Sequence, residues 1–369
     1  MKIVTEPFGD SSATIIRMMS DRGGELVLTD LGASIVGLKV PARSAVAASD
    51  AAKPSPATLV DVALGYGSYS AYMEGGEYLG ATIGRYANRI ARGELDIHGV
   101  TYQLDRNQSV HTLHSGPSGW HKRIWQYMID EAAGSVTFSL HSPNGDQGFP
   151  GNADIDVSYA FVGGSTVAIS YHAVSDADTV FNLTNHTYFN LDGEASGSVL
   201  GHWIKLNASR FTLTDIDAIP TGEIRSVEGS ALDFTAGKLI GEDIDANEQQ
   251  IEFARGYDHN FVIDGAFEGG VLNREMRHAA TVRSEDTGIE MAVRTDLPGV
   301  QFYTGNYLGS GPLSKSDAVY QMRSGFCLET QFFPDSLHHA GFPSTLLRRG
   351  EPFESVTEYS FRVSAPCRS

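Results

Sequence analysis

The sequence predicts an all-β protein, a large antiparallel β-sandwich, on three observations. Apolar residues recur with a period of two along many short runs, which is the mark of strands that bury one face. The chain carries 40 glycines and 14 prolines, many of them at turns between those runs. Long helical patterns with apolar residues three and four apart are absent.

In chain order, residues 33–40 are the first strand candidate. Residues 42–58 follow, rich in Ala, Ser and Pro and without periodicity, so they read as a surface loop inserted between strands. Val136, Phe138 and Leu140 then alternate with polar or small neighbours, as do Ile155, Val157, Tyr159 and Phe161, then Val167, Ile169 and Tyr171. Turns at Pro143-Asn144-Gly145 and Gly163-Gly164 punctuate these runs. Ile289, Met291 and Val293 repeat the pattern, and residues 299–304, 325–331 and 359–363 complete it. Strands persist end to end with neither an αβ alternation nor a linker, which favours one domain over residues 1–369.

Composition narrows the function. A net charge of -18 with no basic run argues against nucleic acid as a partner and tilts the ligand towards an uncharged molecule. The two cysteines, Cys327 and Cys367, make neither a disulfide scaffold nor a cysteine-rich zinc site, which suits a reducing compartment. The first residues lack a signal-peptide pattern, and no stretch reaches the roughly 18 apolar residues of a membrane span, so a cytoplasmic protein without membrane association is expected.

Several segments carry polar groups where a half-buried strand would not need them. In residues 182–190, NLTNHTYFN, an extended chain puts Asn182, Thr184, His186, Tyr188 and Asn190 on one face. That face either binds a hydroxyl-rich ligand or meets water. In GFCLETQ, alternation sets Cys327 and Glu329 opposite Phe326 and Leu328; a carboxylate among apolar neighbours can act as a general base, or it can be an ordinary ion-paired strand residue. Cys327 reads more readily as a small buried thiol than as a nucleophile.

Arg85, Arg89 and Arg92 in GRYANRIARG suit anionic or hydroxylated ligands, or a surface ion-pair network. The close spacing of His111, His114 and His121 invites a zinc hypothesis, yet no H-E-x-x-H or cysteine pair accompanies them, so no metal is expected. Asp258, in YDHNF, reads by itself as a turn residue.

Together GRYANRIARG, LHSG, DQGFPG, NLTNHTYFNL, YDHNF, VQFYTGN and GFCLETQFFPD, in this order over residues 64–363, closely resemble the aldose 1-epimerase (galactose mutarotase) family. The resemblance implies a β-supersandwich with an open cleft on one sheet. It implies interconversion of the α and β anomers of a free aldose such as galactose or glucose, with a small sugar as substrate and no cofactor. It further implies His186 as the acid at the ring oxygen, Glu329 as the base at the C1 hydroxyl, and Asn88, Arg89, His114, Asp258 and Gln301 as sugar-binding residues. One departure is visible: the family's LHGG-like motif is here Leu113-His114-Ser115-Gly116, which puts the backbone path beside His114 in question. The insertion at 42–58 is atypical in length.

Rival readings are a hexose-6-phosphate 1-epimerase, for which Arg85 and Arg92 would have to reach the cleft, a glycosidase using Asp258 and Glu329, and a non-catalytic carbohydrate-binding protein. The expected assembly is a monomer or a homodimer.

Overall fold

Each strand candidate read from the periodicity is a strand. In the computed structural model, which describes residues 1–9, 11–21, 23–43 and 58–364, two six-residue helices, Tyr69–Glu74 and Gln249–Ala254, accompany an otherwise β architecture. The expected loop at 42–58 lies largely outside the described residues. Its two ends are corrected: Ala42 and Thr58 pair with each other as the ends of the antiparallel strands Ser34–Ala42 and Thr58–Asp61.

Three sheets dominate. An N-terminal sheet of five strands takes them in sequence order from Lys2–Pro7 to Thr58–Asp61. A nine-stranded sheet runs from Gln126–Asp130 at one edge, through Ala153–Val162 and the long C-terminal strand Pro352–Val363, to Lys238–Leu239. A six-stranded sheet contains Tyr188–Phe189, Phe326–Gln331, Gly299–Tyr303, Asp258–Val262, Arg210–Thr214 and Pro220–Ser226 in that order. Apolar faces of all three meet in one core, which includes Met18, Leu38, Val157, Tyr159, Phe302 and Phe326. Burying each large side chain there contributes roughly 1.5–3 kcal/mol.

The six-stranded sheet sets the site, because its alternation separates two environments. Phe261, Val300, Phe302, Phe326 and Leu328 turn into the core. Their neighbours turn the other way, in rows fixed by register: Asn260 lies opposite Gln301, which lies opposite Glu329. In the next row Asp258, Tyr303, Cys327 and Tyr188 stand side by side. The turn reading of Asp258 is therefore overturned, since it begins a ladder-paired strand.

Residues 182–190 are not one extended strand. Thr184–Asn185 pairs with Thr82–Ile83, while Tyr188–Phe189 pairs with Phe326–Gln331. Between them the Asn185 side-chain oxygen accepts the Thr187 N–H at 3.1 Å, a local turn that bends the chain at His186. The solvated reading of this segment also fails, because every residue from Asn182 to Asn190 is buried. Asn182 accepts the Phe332 N–H at 2.8 Å and Asn190 donates to the carbonyls of Gly197 and Ser324. These amides satisfy buried backbone rather than ligand.

Candidate active site

The bend at His186 drops its ring onto the outward face of the six-stranded sheet, beside Glu329. Here a cleft of about 740 Å³ opens, a volume within the usual range for small-molecule sites. Its walls include Asn88, Arg89, His114, His186, Asp258 and Glu329, drawn from segments far apart in sequence.

His186 Nε2 lies 3.7 Å from Glu329 Oε1, and both side chains are almost fully buried. Burial pushes the His186 imidazolium down to about 4, an effect partly offset by a hydrogen bond to its own backbone and then by Asp258. Burial likewise pushes the Glu329 carboxyl well above the ordinary carboxylate range, with the negative charge of Asp258 adding to the effect and Arg89 opposing it. The contact is thus not an ion pair at rest. Both groups are driven towards their uncharged forms, imidazole and carboxylic acid, which together hold one transferable proton.

The second Glu329 oxygen, Oε2, is buried without a protein partner, as expected of an acceptor kept for something that enters the cleft.

His114 stands edge-on to His186, with ring centroids 5.2 Å apart. Its Nδ1 accepts the Asn88 N–H at 3.2 Å, which leaves the ring proton on Nε2. Burial, reinforced by His186 and Arg89, keeps this imidazole neutral. His114 is therefore a neutral donor held in one tautomer.

At the changed glycine in LHSG, Ser115 occupies the left-handed region at φ +70°, next to His114 at +48°. The Ser115 hydroxyl compensates by accepting the Tyr86 N–H at 2.7 Å and donating to the Tyr86 carbonyl at 3.1 Å.

Arg89 is held by Gln108 Oε1 at 2.8 Å and by Asn88 Oδ1 at 3.3 Å, and its Nη1 stands 3.8 Å from Asp258 Oδ2. Asp258 Oδ1 accepts a 2.6 Å hydrogen bond from Gln301 Nε2. Gln301 is not on the cleft wall: its amide oxygen is taken by Gln331 at 3.2 Å, so it stands behind Asp258.

The other arginines are elsewhere. Arg85 is buried and donates to the carbonyls of Ser142, Pro150 and Gly151, while Arg92 is exposed and pairs with Glu94 at 3.1 Å.

His111, His114 and His121 do not converge. His111 accepts the Arg92 N–H, and His121 packs on Tyr78 with centroids 4.5 Å apart. The convergent donors are instead His114, His186 and Glu329, whose ligand atoms lie within 4.8 Å of one another. A single hydroxylated molecule among them would meet a fixed donor, a second imidazole and a carboxyl at once.

Sequence reasoning missed the walls formed by Tyr78, Gln108, Tyr303 and Glu77. Tyr303 lay within the VQFYTGN motif, two residues from Gln301, so strand alternation could have found it. For Tyr78, wedged against His114 and His186 at 4.7 and 5.8 Å, no local signal exists.

Fold and cleft together define an antiparallel β-sandwich with a buried imidazole–carboxyl pair in a small-molecule-sized cleft lined by polar groups. The family model for aldose 1-epimerase matches residues 14–360, and the chain belongs to that family. It is 36% identical to the aldose 1-epimerase of Escherichia coli over 349 residues, covering 94% of each chain. It is 38% identical to the human galactose mutarotase over 304 residues, 82% of this chain and 84% of that one. Among solved structures, the aldose epimerase homologue from C. elegans superposes with a TM-score of 0.83 at 28% identity, covering 96% of this chain and all 100% of that one. The galactose 1-epimerase of Lactobacillus acidophilus shares the fold, with a TM-score of 0.80 at 23% identity and 99% of each chain covered.

Proposed function

We propose that the protein is an aldose 1-epimerase that opens and recloses the ring of a free aldose, with Glu329 and His186 exchanging one proton each with the sugar. The observation that carries this reading is the buried Glu329–His186 contact at 3.7 Å on the cleft wall. Ring opening removes a proton from the C1 hydroxyl and delivers one to the ring oxygen. Glu329 takes the first and His186 gives the second, so the pair passes from carboxylate and imidazolium to carboxylic acid and imidazole. After rotation about C1–C2, closure runs the transfers backwards.

Because burial favours the uncharged pair at rest, the cycle begins with transfer of the Glu329 proton to His186 Nε2, and ring opening returns the pair to its uncharged arrangement. Arg89, Asp258, Asn88 and His114 hold the other hydroxyls. Orientation of this kind supplies rate beyond the roughly 10²–10⁴-fold of acid–base transfer.

A phosphorylated sugar fits poorly. Glu74, Glu77 and Asp258 line the cleft with Arg89 as its cation, while Arg85 and Arg92 are committed elsewhere.

Among the described residues no helix is long and apolar enough to cross a membrane. The low cysteine content supports a cytoplasmic setting.

The test is polarimetry of freshly dissolved α-galactose, α-glucose and glucose 6-phosphate. Acceleration with the free sugars and none with the phosphate is expected. Failure with every free aldose would remove the reading.

A further inference from the structure

The working nitrogen of His186 has been described, but the ring has a second one. Nδ1 points away from Glu329 and lies 3.6 Å from the sulfur of Cys327, a buried free thiol. Register explains the meeting: Cys327 sits two residues before Glu329, on the same face of Phe326–Gln331, and lies between Tyr188 and Tyr303 on the neighbouring strands. Both tyrosines pack against the His186 ring, at 5.0 and 6.3 Å. One strand therefore supplies the carboxyl that faces Nε2 and the thiol that faces Nδ1.

We propose that Cys327 is a positioning residue whose sulfur accepts the Nδ1 proton of His186, so that Nε2 alone exchanges a proton with the sugar. The inference rests on the acid–base reading above. Nε2 must give a proton when the ring opens and take it back when the ring closes. A neutral imidazole carries one proton, and if that proton sat on Nε2 there would be no lone pair to receive the returning one. Nδ1 must therefore keep its proton throughout, and the atom beside it must accept. Sulfur is a weak acceptor, so it fixes the tautomer without stabilising the imidazolium as a carboxylate would. The ring thus stays a ready donor. The ring also has a hydrogen bond to the His186 backbone, which competes with the sulfur for a ring proton and which replacement of Cys327 leaves in place.

The test combines ¹⁵N NMR of the His186 ring in the free protein with kinetics of Cys327→Ala and Cys327→Ser. In the unaltered protein at neutral pH, Nδ1 should resonate as the protonated nitrogen and Nε2 as the bare one. Cys327→Ala should give mixed tautomers and lower kcat about tenfold, the usual scale for losing an orienting partner, with KM for galactose nearly unchanged. Cys327→Ser, which restores an acceptor, should recover the Nδ1–H signature and most of kcat. A proton on Nε2 in the unaltered protein would overturn the proposal, as would equal losses in both variants with the signature unchanged. The NMR reading needs no substrate, so absence of aldose turnover in the unaltered protein would count against the functional reading alone.

Discussion

Glu329 and His186 face each other across 3.7 Å with both side chains almost wholly withdrawn from water, so neither can change charge without affecting the other. Glu329→Gln keeps the shape and removes the proposed acceptor of the C1 hydroxyl proton. The expected loss in kcat is about 10²–10⁴-fold, with the Kd for galactose within a few fold. Polarimetry and calorimetric titration read the two quantities separately, and near-normal turnover would exclude Glu329 as the base.

The pH profile follows from the direction of the His186 shift. Its protonation is pushed from the ordinary imidazole range down to about 4, so above that value the pair holds a single transferable proton. As pH falls through about 4 a second proton is added and the receiving site disappears. The acid limb of kcat is therefore expected near pH 4, after subtraction of spontaneous anomer exchange. A midpoint near the unperturbed value of about 6.5 would show that burial does not govern this group.

Gln301 is expected to act through Asp258. Its amide donates to Asp258 Oδ1 at 2.6 Å, and the backbone register fixes it opposite Glu329. Gln301→Ala frees the Asp258 carboxylate to rotate, so KM should rise about tenfold while kcat changes little, the pattern of lost ground-state binding. A fall in kcat at constant KM would instead tie Gln301 to proton transfer.

Ser115 should matter for stability. At φ +70° it holds a conformation suited to glycine, and its hydroxyl makes both hydrogen bonds to the Tyr86 backbone. Ser115→Ala keeps the strain and loses the bonds, at a cost of about 1–3 kcal/mol. Ser115→Gly loses the bonds but relieves the strain, so urea denaturation should find it the more stable of the two variants. The reverse order would mean that the backbone there is unstrained.

Strand positions such as Ile155 to Phe161 were legible because a period of two is a local property of the chain. The alternation in GFCLETQ likewise placed Cys327 and Glu329 together. The one-face arrangement of residues 182–190 holds only for an extended chain, and the Asn185–Thr187 turn that breaks it depends on a side chain equally at home in an extended run. Gln301 and Tyr303 share a face, and no local pattern could say that Tyr303 reaches the cleft while Gln301 is taken up by Asp258 and Gln331. By residue type alone Arg85 and Arg89 read alike and only the family resemblance singled out Arg89; in the structure Arg85 is consumed by buried carbonyls and Arg89 lines the cleft.

The sequence by itself determined the β architecture, the family, and the presence of an imidazole and a carboxyl suited to acid–base work. Those are matters of periodicity and residue type, which each segment carries alone. Only the tertiary structure decided that His186 and Glu329 meet, that burial pushes their proton affinities towards the uncharged pair, and that His114 is locked as a neutral donor. Proton affinity depends on dielectric surroundings and neighbouring charges, and these are assembled from Asp258, Arg89 and the sheet rows only when distant strands come into register.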